Sequence, residues 1–375
     1  MKFLFYTHSL MSDWNHGNAH FLRGIMKNLQ ARGHTALALE PKVSWSRENL
    51  LADAGPGAIT AFHADFPDLR TEVYDVDFDH EEAVGEADVV IVHEWTEPQL
   101  IARLGRARRT GNFTLLFHDT HHRAVSAGED IAAMDLRDYD GVLAFGETLR
   151  QRYLKAGWGR NVFTWHEAAD ETLFHPHPDR TPERDLVWIG NWGDDERSRE
   201  LMEFLIEPVA HLKLSARVHG VRYPDDALAA LSRAGIDYRG WIANAAVPEV
   251  FAAHRFTIHV PRRPYVEHLP GIPTIRVFEA LACGIPLISA PWEYSEQLFT
   301  PGRDFLFASD GKEMQALMQQ LLADDAMRRE LSEHGLRTIR ERHTCAHRVE
   351  QLLDILAVSG TKRVRDQILP KEAAE

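Results

Sequence analysis

The chain reads as an α/β protein made of two successive open parallel sheets, each with helices on both faces. Three observations predict this. Short apolar runs bounded by polar turns alternate with segments of helical spacing. The alternation stops at the proline- and charge-rich stretch 176–185 and then restarts. The length, 375 residues, suits two or three domains at roughly 100–200 residues each.

The elements follow in order. Residues 1–8 (MKFLFYTH) are an apolar run of the kind buried in a parallel sheet. A polar loop with Gly17 follows, then Phe21, Leu22, Ile25, Met26 and Leu29 at helical spacing. Gly33 ends that helix and 35–40 (TALALE) is the next strand. The pattern recurs as a strand at 87–94, a helix over 98–109 and a strand at 113–119. Further short runs stand at 141–147 and 161–167. Beyond the break, strands are expected at 185–192, 214–220, 236–241, 255–261 and 285–291, with helices at 197–211, 247–254 and 273–284 between them. Helices over 312–322, 325–342 and 346–358 close the chain, followed by a mixed-charge, mobile tail to Glu375. The expected domains are 1–175, a linker 176–185, 186–345, and a terminal helix and tail 346–375.

Composition bounds the function. With 42 basic and 56 acidic residues the formal charge is −14, which argues against a general binder of nucleic acid or anionic membrane. Apolar residues at 44% and charged residues at 26% exclude wholesale disorder. Cys283 and Cys345 are the only cysteines, too few for a disulfide framework or a zinc cluster. The first apolar run is too short for a signal peptide, and no stretch reaches the roughly 18 to 20 apolar residues of a membrane span. The expectation is a cytoplasmic protein without an integral membrane segment. Ligands of such sheets sit at the carboxyl ends of strands, so an active site is expected in the cleft between the two domains.

The most informative segment runs from Gly271 to Ser289. Pro273 and Thr274 make a helix start whose free amides and dipole suit a phosphate or diphosphate. Glu279, just over one turn further on, can accept two ribose hydroxyls at once. Taken alone, Glu279 and Arg276 are equally well explained as an i, i+3 ion pair. Gly190, Asn191 and Trp192 close the first strand of the second half, where a missing side chain lets backbone amides approach phosphate. Arg197, Arg222, Arg262, Arg263 and Arg276 are candidate diphosphate cations, with Arg222 and Arg262 ranked ahead of Arg197. In the first half, Asn15, His16, Gly17 and Asn18 lie in the loop after the first strand, and His118 and Asp119 end another. The run His118, Asp119, His121, His122 invites a metal, but 21 histidines spread along the chain make such local groups expected, and no metal is assigned.

The stretch EALACGIPLISAP resembles the signature of nucleotide-sugar glycosyltransferases with two Rossmann-like domains, the GT-B fold, and of family 4 in particular. The wider pattern from VPEVFAAHRFTIHVP to FEALACG is most similar to the spore-maturation-protein-like branch. VVIVHEW, LLFHDTHH and ADETLFHP match landmarks of the same enzymes in order. The resemblance implies a metal-independent transfer of a sugar from a nucleoside diphosphate to a glycan, protein or small-molecule acceptor, with no cofactor and retention of configuration. It implies that Glu279 holds the donor ribose and that Thr274 and Ile275 cradle the diphosphate through amides and the Thr274 hydroxyl. His118 is then the leading chemical residue, bonding the sugar or acting as general base with Asp119 orienting it; residues 15–18 meet the acceptor. The first glutamate of the family's E-x7-E pattern is replaced by Gly271, and Glu267 is near enough in sequence to substitute. Two rival readings are a nucleotide-sugar epimerase on the same fold and a non-catalytic nucleotide- or glycan-binding protein. Neither the oligomeric state nor the donor's sugar and base is legible.

Overall fold

The computed structural model describes residues 1–368, so the end of the expected tail, 369–375, lies outside the described residues. Thirteen strands form two wholly parallel sheets. β1 (Lys2–Tyr6), β2 (Thr35–Pro41), β3 (Arg70–Tyr74), β4 (Val89–His93), β5 (Thr114–Asp119), β6 (Gly141–Ala144) and β7 (Val162–Thr164) form a seven-stranded sheet in the order β3-β2-β1-β4-β5-β6-β7. β8 (Arg184–Ile189), β9 (Ala216–His219), β10 (Asp237–Tyr238), β11 (His254–His259), β12 (Leu287–Ser289) and β13 (Leu306–Phe307) form a six-stranded sheet in the order β10-β9-β8-β11-β12-β13. Strands buried on both faces read as near-continuous apolar runs, which is why β4 (VVIVH) and β5 (TLLFHD) stand out in the sequence. Burying each of their Val, Ile or Leu side chains contributes about 1.5–3 kcal/mol.

The chain divides into two compact units, 1–167 with 345–375, and 168–344. The division therefore falls ahead of the expected linker. Residues 176–182 belong to the second unit, where Pro176, His177, Pro178 and Pro182 line a groove together with Cys283, Gly284, Ile285 and Pro286. The expected terminal helix is also not a separate appendage. Cys345–Ser359 buries Val349, Leu352 and Leu356 within the first unit. Arg348, almost fully buried, donates to the carbonyl of His166, and Trp165 Nε1 donates to the carbonyl of Arg348 at 2.8 Å. Part of the expected tail is ordered as the helix Lys362–Ile368.

Elements between residues 41 and 86 escape the apolar-run pattern. β3 is an edge strand, RTEVY, none of whose residues is fully buried, and the short helices Trp45–Ala54 and Gly57–Asp65 bury few side chains. The expected helix over 197–211 is broken. Ser198–Leu201 and Glu207–Leu212 flank a π-helical turn over Met202–Ile206. In each sheet the strand order reverses once near the middle, between β1 and β4 and between β8 and β11. At such switch points neighbouring connections leave in opposite directions and open a crevice at the carboxyl ends.

Candidate functional site

In the second unit the carboxyl ends of β8 and β11 carry a guanidinium pair. Arg197, which follows β8, donates from Nη2 to the Asn191 backbone and side-chain oxygens, both at 2.7 Å, and from Nη1 to the carbonyl of Val260 at 2.9 Å. Arg262, just beyond β11, donates from Nη2 to the same Asn191 Oδ1 at 2.9 Å and from Nη1 to Glu196 at 2.8 Å. Arg197 is half-buried and stacks its guanidinium 5.1 Å from the Trp188 ring. Burial and the nearby Arg262 charge lower it to about 9, and its buried Nε has no partner. Arg197, ranked lower from sequence, thus shares Asn191 Oδ1 with Arg262. Arg222 is exposed, has a left-handed φ of 61°, and pairs with exposed Asp194 at 2.9 Å.

In the glycine turn after β8, two backbone amides are taken up by protein carbonyls. Gly190 N donates to the carbonyl of His219 and Trp192 N to that of Val221, so neither amide is open to an anion. A Cβ on Gly220 would sit 1.8 Å from the Gly190 oxygen, so glycine is needed for this backbone-to-backbone approach. Trp192 belongs to the apolar core beside Tyr223 and offers no stacking face.

The helix Ile275–Ala282 starts as the sequence predicts, with Thr274 as its N-cap, but the Thr274 side chain caps no amide. Its Oγ1 lies 3.2 Å from His259 Nε2 at the end of β11. The first-turn amides of Ile275 and Arg276 therefore carry no side-chain cap. Arg276 Nη1 donates to Glu279 Oε2, and the Glu279 side chain is wholly buried, so the pair is not a surface bridge. Gly271 has a φ of 89°, and a Cβ there would fall 2.6 Å from Ser295 Oγ and 2.7 Å from Glu296 Cγ. The absence of a glutamate at this position thus follows from the loop 293–297 lying against it.

In the first unit, polar groups converge at the ends of β1, β4 and β5. His8, His16, Asn18, His93, Glu94 and His118 are all buried. His93 Nε2 lies 2.9 Å from Asn18 Nδ2, Thr120 Oγ1 and Glu94 Oε2. The His93 ring stands 6.1 Å from that of His16 and 5.8 Å from that of His118. Asn18 is the first residue of the helix Asn18–Ala31, with Gly17 as N-cap, rather than part of the loop. Asn15 adopts a left-handed φ of 50° in the turn before it. His16 Nε2, Asn18 Oδ1, His93 Nδ1 and His118 Nε2 are buried without hydrogen-bond partners. Burial lowers His93 to about 3 and His8 to about 4, and His16 and His118 well below the usual range, leaving all four rings neutral. Burial raises Glu94 to about 8, and burial together with Glu94 raises Asp119 to about 8.

Asp119 does not orient His118. Consecutive strand residues point to opposite faces, and the contacts follow: His118 meets Phe21 and Trp165, whereas Asp119 accepts from Tyr153 Oη at 2.7 Å and from the His121 amide. His8, His93 and Glu94 were missed from sequence. Their one signal was position, since each ends or follows a strand beside the switch point. Among the described residues no group of three or more histidine, cysteine or carboxylate side chains is placed to hold a metal.

Residues 197–354 match the model of the family described as glycosyl transferase-like. That stretch, less than half of the chain, is similar to a glycosyltransferase domain. It carries Arg197, Arg262, Thr274 and Glu279, and it bears out the glycosyltransferase class expected for the enzyme. No curated protein sequence matches the chain. Solved structures share its fold at low identity. Sucrose-phosphate synthase from Thermosynechococcus elongatus is 15% identical with a TM-score of 0.66, covering 96% of this chain and 100% of that one. HepE from Anabaena, in complex with UDP and glucose, is 16% identical with a TM-score of 0.68, covering 96% and 100%. T4 phage BGT, in complex with its UDP-glucose substrate, is 12% identical with a TM-score of 0.60, covering 96% and 99%. These likenesses bear out two Rossmann-like parallel-sheet domains of the GT-B type.

Proposed function

We propose that the protein transfers a sugar from a nucleoside diphosphate sugar, with UDP-glucose the first donor to test, to a glycan, protein or small-molecule acceptor. The observation that carries the donor half is the uncapped start of helix 275–282 with buried Glu279 one turn along and the Arg197–Arg262 pair in the same unit. The first-turn amides and guanidinium groups receive the diphosphate. Glu279 takes the ribose hydroxyls, its carboxylate fixed in rotamer by Arg276. As the bond from the anomeric carbon breaks, its electron pair passes to the departing phosphate oxygen. Fixed amides and guanidinium groups stabilise that charge without a divalent ion.

The acceptor half rests on the partnerless polar atoms of His16, Asn18, His93 and His118, which are matched to a ligand rich in hydroxyls. Neutral His118 offers Nε2 to the sugar or to the acceptor hydroxyl. Retention of configuration and the spore-maturation-protein-like branch are carried over from the sequence resemblance. A cytoplasmic setting suits the two buried cysteines, neither of which is in a disulfide. No helix among the described residues is long and apolar enough to cross a membrane.

A thermal-shift panel of UDP-, GDP-, TDP- and ADP-linked sugars tests the reading, because a selective ligand stabilises the native state. One nucleotide is expected to raise Tm selectively, and release of its free diphosphate with acceptor separates transfer from epimerisation and from mere binding. A uniformly flat panel contradicts the proposal.

A further inference from the structure

The hydrogen bonds behind Thr274 fix the direction of its hydroxyl proton. Ser289 Oγ donates to the carbonyl of Ala290 at 2.9 Å. With its one proton on that carbonyl, Ser289 Oγ accepts from His259 Nδ1 in their 3.0 Å contact. His259 is buried, and burial with the Arg197 charge holds it at about 3, so it carries a single ring proton. In this arrangement that proton is on Nδ1, and Nε2 is a bare acceptor. Thr274 Oγ1, 3.2 Å away, therefore donates to Nε2.

A threonine at an N-cap ordinarily turns its oxygen onto the amides of the first turn. In the same unit Asp310 and Asp324 do this, each accepting from two amides. Thr274 has the extended backbone such a cap requires, φ −79° and ψ 158°, yet makes no cap, and no acidic residue stands in the first turn in its place. The hydroxyl is drawn away by His259. Arg197, whose charge bears on His259, keeps one buried atom, Nε, without a partner.

We infer that His259 is a positioning residue which, by holding the Thr274 hydroxyl, keeps the first-turn amides of helix 275–282 uncapped for the donor diphosphate. The inference rests on the donor site proposed above. On this reading the diphosphate meets the first-turn amides rather than the Thr274 hydroxyl, whose proton is taken up by His259.

The test is calorimetry with UDP on the wild type, H259L, T274A and the double variant. In H259L the freed hydroxyl caps the helix, and UDP binding weakens about tenfold, the scale of one N-cap hydrogen bond. In the T274A background no oxygen is left to cap, so adding H259L has little further effect. H259Q, whose carboxamide oxygen can accept from Thr274, recovers most of the loss. An equal H259L effect in both backgrounds, or none in either, overturns the inference and leaves the donor site standing. No heat from the wild type with UDP, GDP, TDP or ADP removes the donor site and the inference together. A measurement free of folding failures is the histidine tautomer by 15N NMR on the wild type: protonated Nδ1 with bare Nε2 is expected for His259, and the reverse tautomer overturns the inference.

Discussion

Glu279 and His118 are the residues on which the chemistry divides. Glu279 is buried and braced by Arg276, so in the proposed donor site removing its carboxylate would take away charged hydrogen bonds to the ribose without altering the reacting centre. E279A is expected to raise the donor KM about ten- to hundredfold, the worth of one or two such bonds, with a smaller change in kcat. An unchanged donor KM would remove the ribose assignment. His118 is different, because its neutral Nε2 faces no protein partner. H118A is expected to lower kcat by about a hundredfold or more while donor KM moves little. Near-normal turnover in steady-state assays would show that the ring only packs against Trp165. Arg197 and Arg222 show where sequence reasoning stops at this scale. Both are arginines near a strand end, and only burial separates the one that braces Asn191 from the one that faces solvent beside Asp194.

At the scale of elements, the apolar runs legible in the sequence are those buried on both faces, such as β4, β5 and β11. Edge strand β3 was not legible because its side chains are largely solvated and its alternation carries no apolar signal. The glycines were visible as turns, but their purpose was not. Gly190 and Gly220 let two loops touch, a contact between residues thirty positions apart that periodicity does not encode. The helix Cys345–Ser359 was legible as a helix but not as part of the first unit. Its Leu352 is fully buried, so L352A is expected to destabilise the first unit by about 2–5 kcal/mol. Urea melts should show that unit's transition moving while the second unit's stays in place. A loss shared equally by both transitions would contradict the division at Thr344 and Cys345.

For the whole molecule, the buried histidines and carboxyls of the first unit give stability a defined pH dependence. His8, His16, His93 and His118 are held below their unfolded value, so the unfolded state binds more protons as pH falls below about 6.5, and stability is lost. Glu94 and Asp119 are raised to about 8, so the folded state holds protons that the unfolded state releases. Their contribution falls as pH rises from about 4.5 to 8. Below about 6.5 the four imidazoles outweigh the two carboxyls, and above it only the carboxyls titrate. Stability of this unit is therefore expected to peak between about pH 6 and 7, and E94Q, which cannot ionise, to soften the alkaline fall. Calorimetric melts of both proteins from pH 5 to 9 check this; a wild-type Tm rising steadily to pH 9 would contradict it. The central claim is that a donor diphosphate docks on the start of helix 275–282, and a crystal structure with UDP bound tests it most directly. Phosphate oxygens are expected on the Ile275 and Arg276 amides, and ribose hydroxyls on Glu279. UDP held elsewhere, with those groups untouched, would contradict it.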